Sequence, residues 1–115
     1  HIESNSFISL FKVKKLDLSH NCLFKLDKNL FINMKNLRVL NLNLNFIKSI
    51  DEKNLFISQK FLSELHLESN LIDKFTNIDR NLLNSLVLLN LKSNIYLREL
   101  KIEHLRSLNN INLSK

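Results

Sequence analysis

The sequence predicts an α/β repeat solenoid, a curved parallel β-sheet on the concave side with loops and short helices on the convex side. Three observations carry that prediction. Four stretches, VKKLDLSHNCL, LRVLNLNLNFI, LSELHLESNLI and LVLLNLKSNIY, begin at Val13, Leu37, Leu62 and Leu86 and share the pattern apolar, x, x, Leu, x, Leu, x, x, Asn. The Asn residues, Asn21, Asn45, Asn70 and Asn94, recur at spacings of 24, 25 and 24, a period in the range of stacked repeat architectures. The chain also holds 26 Leu and 18 Asn but no Gly, Pro or Ala, which excludes Gly-rich phosphate-binding loops.

The repeats divide the 115 residues into one array. Residues 1–12 read as the back half of a preceding repeat, because Ile2, Phe7 and Leu10 precede Val13 by the offsets that separate Leu26, Phe31 and Met34 from Leu37. Full repeats follow at 13–36, 37–61, 62–85 and 86–107, and 108–115 starts another. The chain is therefore expected to be a piece of a longer array, with uncapped ends through which copies could associate.

Each element has a local reason. In Lys15-Leu16-Asp17-Leu18-Ser19 the side chains alternate with period two, so Leu16 and Leu18 face in while Lys15, Asp17 and Ser19 face out. One repeat cannot bury its own leucines, but neighbours about 4.8 Å apart share a continuous apolar column. The Asn of each repeat stands where the strand ends, and its amide can satisfy backbone groups that the bend leaves unpaired; Asn21, Asn45, Asn70 and Asn94 are expected to stack as a structural ladder. Phe7, Phe31 and Phe56 are expected to stack as a buried spine behind the sheet. Leu97, Leu100, Leu105 and Leu108, with Glu103 and Arg106 three apart, predict a short amphipathic helix over 97–107.

These motifs resemble the leucine-rich repeat. A length of about 24 with Phe near the tenth position after Asn resembles its typical extracellular class, including Toll-like receptor ectodomains. The sequence departs from that class where Phe56 stands eleven residues after Asn45, where Arg80 takes the tenth position after Asn70, and where the interval from Asn94 to Leu108 shortens to 14. The resemblance implies a leucine-rich-repeat solenoid acting as a non-enzymatic recognition module, part of a cell-surface or secreted receptor that binds a protein or other macromolecular ligand. The alternative is a cytoplasmic scaffold or regulatory subunit, which the single cysteine, Cys22, and the shortened interval favour.

The outward strand positions define the expected ligand-binding face: Asp17 and Ser19; Val39, Asn41 and Asn43; Glu64, His66 and Glu68; Leu88, Asn90 and Lys92. Its polar stripe with a few apolar neighbours suits a protein partner. Glu64, His66 and Glu68 invite a metal or acid–base reading, but same-face neighbours on a strand lie about 6.6 to 6.8 Å apart and an open sheet offers no enclosing cleft, so no catalytic group, metal or cofactor is expected. Glu68 and Lys92 are expected to pair across strands. Projected, the face covers only roughly 300 Å², less than the about 800 Å² a standard interface buries per partner, so it reads as part of a larger site.

The net charge of +6 raises the question of nucleic acid. The lysines are scattered along the sequence and the dense group Lys12, Lys14 and Lys15 lacks interleaved aromatics, so no nucleic-acid partner is expected. The longest apolar run, Leu86 to Leu89, is far short of the roughly 18 residues a membrane span needs. Asn112-Leu113-Ser114 matches a glycosylation sequon, a pattern expected by chance at this Asn content.

Overall fold

A computed structural model describes residues 10–76, 84–103 and 105–115. The chain winds as a parallel solenoid measuring 36 × 30 × 21 Å. The motif segments form β1 (Lys15–Asp17), β2 (Val39–Asn41), β4 (Glu64–His66), β6 (Leu88–Asn90) and β8 (Asn110–Asn112). These pair in the order β1-β2-β4-β6-β8, every neighbour parallel. Leu16, Leu40, Leu65, Leu89 and Ile111 are in register and point to the core, and Leu40, Leu65 and Leu89 are wholly buried.

The ladder continues past each strand. The N–H of His20, Leu44 and Ser69 donates to the carbonyls of Asn43, Glu68 and Lys92 in the next turn, and that of Ser93 to Ser114. These four residues share a φ of 56 to 59°. A left-handed conformation normally favours glycine, and costs a residue with a Cβ about 1 to 2 kcal/mol. In a chain without glycine the continued ladder holds it in place, helped at Leu44, Ser69 and Ser93 by the buried Asn that follows.

A second sheet lies beyond the Asn positions: β3 (Ser49–Ile50), β5 (Lys74–Phe75) and β7 (Glu99–Leu100), ordered β3-β5-β7 and again parallel. It replaces the helix expected over 97–107. The leucine spacing there reflects separate inward turns, with Leu97 and Leu100 partly buried around β7 and Leu105 buried within a turn closed by Leu105 N–H to the Ile102 carbonyl. His104 lies outside the described residues.

The back of the solenoid is built of such turns. In the second turn N–H groups donate three residues back from Leu30, Ile32, Met34 and Leu37, and in the third from Leu55, Ile57, Gln59 and Leu62. Between them lie Phe31 and Phe56, buried and stacked with ring centres 6.2 Å apart and planes at 15°. Phe7 lies outside the described residues. Gln59, fully buried, fastens the two turns by donating from Nε2 to the carbonyls of Phe31 at 2.7 Å and Met34 at 3.1 Å.

Three asparagines also tie the turns together. Asn45, Asn70 and Asn94 are buried. The Nδ2 of Asn45 donates to the carbonyls of Leu18, Leu42 and Asn43, and its Oδ1 accepts from the N–H groups of Asn21 and Leu23. Asn70 repeats the arrangement with Leu42, Leu67 and Glu68 as acceptors and Ile47 as donor, and Asn94 with Leu67, Leu91 and Lys92 as acceptors and Ile72 as donor. Asn21 differs: it is exposed and donates to the nearby Ser19 carbonyl.

Candidate functional site

Parallel pairing in register lines the outward side chains into columns. The first column holds Lys15, Val39, Glu64, Leu88 and Asn110, and the middle one Asp17, Asn41, His66, Asn90 and Asn112. All the strand-face residues expected from alternation thus share one surface, with Ser19, Asn43, Glu68 and Lys92 at its rim.

The middle column does more than face solvent. Oδ1 of Asp17, Asn41, Asn90 and Asn112 accepts the N–H two residues on, from Ser19, Asn43, Lys92 and Ser114, at 2.9 to 3.1 Å. A short side chain bearing an oxygen closes its own turn in this way, which is why Asp and Asn recur at the position. Sequence reading missed this role, although the recurrence of Asx two residues before a turn was its signal.

His66 is the exception: its imidazole does not close that turn. The N–H of Glu68 is instead satisfied by Oδ1 of Asn43 on the neighbouring turn at 2.7 Å. Released from turn closure, the His66 ring donates through Nε2 to Oε2 of Glu64 at 3.0 Å. The Cα spacing along a strand had suggested these groups stay apart, but the long glutamate side chain bridges it. Glu68 turns the other way, accepting from Nδ2 of Asn90 at 3.1 Å and lying 3.9 Å from the Lys92 ammonium. Glu64 and Glu68 therefore serve different partners. Among the described residues no group of three His, Cys, Asp or Glu side chains is placed to hold a metal ion.

Asp17 ends the column. Its carboxyl is held below the ordinary carboxylate range, first by the hydroxyl of Ser19 donating at 2.6 Å, next by the Ser19 N–H, with lesser help from Asn41 and the charge of His20 against a small opposing effect of desolvation. Between Asp17 and His66 lies a shallow depression of about 290 Å³, floored by Leu16 and Val39 and edged by Lys15 and Asn41. It offers hydrogen-bond donors and acceptors around an apolar floor, the chemistry of a protein contact. Cys22 is an exposed free thiol just beyond the sheet.

No helix among the described residues is long and apolar enough to cross a membrane. Comparison with curated proteins finds no match. A family model described as Leucine rich repeat matches residues 11–72, the span that contains β1 to β4 and the first two buried asparagines. With more than half of its length matched and its parallel turns stacked through buried leucines, the chain belongs to the leucine-rich repeat family.

Proposed function

We propose that this array is a non-enzymatic recognition module of a cell-surface or secreted receptor, of the Toll-like kind, which binds a protein ligand through the outer face of β1, β2, β4, β6 and β8. The leucine-rich repeat is generally a protein–protein interaction module. The observation that supports this use of the strand face is the in-register stripe of polar side chains, exposed Asp17 followed by half-buried Asn41, His66 and Asn90, beside half-buried Val39 and Leu88.

The test displays the array against a panel of secreted and surface proteins and repeats each binding with Asn41→Lys and His66→Glu. Weakening of at least tenfold by the strand-face substitutions, with no change on Lys53→Glu at the back, is the expected result. Binding that survives both face substitutions overturns the assignment of the face. Labelling of intact cells with a membrane-impermeant reagent tests the receptor reading separately, and protection of the protein from that reagent overturns it. The exposed thiol of Cys22 favours a second reading, a cytoplasmic scaffold using the same face, since a free surface cysteine persists most readily under reducing conditions.

A further inference from the structure

The two long edges of the main sheet differ in charge. On the edge that follows the Asn positions, cations and anions alternate and pair: Arg98 lies 3.3 Å from Asp73 and Lys74 lies 3.8 Å from Glu99. The edge that precedes the strands has no such balance over β1, β2 and β4. Residues 10–14, 35–39 and 57–63 bring Lys12, Lys14, Lys35, Arg38 and Lys60 and contain no Asp or Glu. Lysines that look scattered at a spacing of about one repeat are neighbours in space. The Lys14 carbonyl accepts the N–H of Arg38 at 2.7 Å, the Arg38 carbonyl accepts that of Ser63 at 2.8 Å, and Asn36 Nδ2 donates to the Phe11 carbonyl at 3.0 Å. Among the described residues the ion pairs involve none of these five cations. Glu64, at the start of β4, is engaged by His66.

Apolar groups sit among the charges. Phe61 and Ile57 are 52% and 44% exposed and line an open groove of about 470 Å³ whose rim carries Lys35 and Lys60. The Arg38 guanidinium lies 5.7 Å from the centre of the Phe61 ring. We propose that this edge is a second docking surface, distinct from the strand face, which takes an acidic polypeptide segment carrying one large apolar side chain. The apolar side chain enters the groove against Phe61 and Ile57, and carboxylates on either side of it meet Lys35, Lys60 and Lys14. The groove suits a side chain better than a nucleic-acid base: one face of Phe61 is already covered by Arg38, and Ile57 has no ring on which a base could stack. Charge complementarity of this kind also accelerates encounter and makes it salt-dependent.

The experiment measures fluorescence anisotropy with three labelled probes: a ten-residue Asp/Glu peptide with a central Phe, the same peptide with Ser in place of Phe, and a ten-nucleotide oligothymidylate. The Phe peptide is expected to bind at least tenfold more tightly than either other probe, and to weaken as salt is raised. Lys35→Glu with Lys60→Glu should weaken it at least tenfold, and Phe61→Ser at least fivefold, while Lys25→Glu with Lys48→Glu leaves it unaltered. Thermal melts of each variant establish that it remains folded. Equal binding of the Phe and Ser peptides, tighter binding of the oligonucleotide, indifference to the Lys35 and Lys60 reversals, or no binding of the Phe peptide overturns the proposal.

Discussion

The two sheets of this molecule are built from the same chain by different rules. In the five-stranded sheet each strand places one apolar residue at its centre, and the next copy arrives in register because the motif repeats without internal insertion. In the three-stranded sheet each strand is two residues long, with Ile50, Phe75 and Leu100 turned inward. Ser49 and Lys74 each lie four residues after their Asn, whereas Glu99 lies five after Asn94. The extra residue is absorbed where Ile95 and Tyr96 stand out into solvent, 56% and 60% exposed, and β7 still pairs with β5. The first sheet is specified by its own sequence. The second is placed by the first, through the buried asparagines that join them, and tolerates a slip that would turn a motif strand inside out.

That contrast can be broken from either side. Phe75→Ala removes the large buried residue of the second sheet and is expected to cost about 3 to 5 kcal/mol on chemical denaturation, the usual cost of emptying a Phe site in a core. A loss near zero would show that the second sheet adds little to the fold. Asn70→Leu, which leaves the N–H of Ile47 without its partner and takes one of two amide donors from the carbonyls of Leu42 and Leu67, should lower stability by about 1 to 3 kcal/mol in the same measurement. Unchanged melting would mean that the sheets are coupled by packing alone.

The smallest effect lies at Asp17 and sharpens the comparison within the first sheet. Because its folded pKa is depressed, its contribution is present above the unfolded value and is lost as pH falls through the folded one. Asp17→Asn keeps the turn closure seen at Asn41, Asn90 and Asn112 and removes the titration. Melting temperature followed on acidification should therefore fall less in the variant than in the parent chain.

The solenoid was legible because its determinants are periodic. Leu16, Leu40, Leu65 and Leu89 occupy one position of a nine-residue pattern, and alternation alone assigns their neighbours to the outer face. The second sheet was not legible, since two residues cannot display a period. The apparent helix over 97–107 came from a chance 3.6-residue spacing of leucines that serve different turns, and the chain there makes three-residue turns around β7 instead. Gln59 was missed because a single buried amide behind the sheet has no counterpart at a fixed offset. At the candidate site the positions were readable but the bonding was not. That His66 is free to meet Glu64 depends on Asn43 capping Glu68 from 25 residues away, a relation visible only once the turns are stacked.

The asparagine bonds have a consequence for how the chain folds. Each of the three buried amides reaches carbonyls both in its own turn and in the one before, so no turn completes its hydrogen bonding until a neighbour has formed. The smallest cooperative unit is then a pair of turns, and nearly every stabilising contact closes a loop of about one repeat. Loop closure of that size is repeated rather than enlarged as the array grows. Folding can therefore start at any adjacent pair and advance turn by turn like a zipper, so that lengthening the array need not slow the first step.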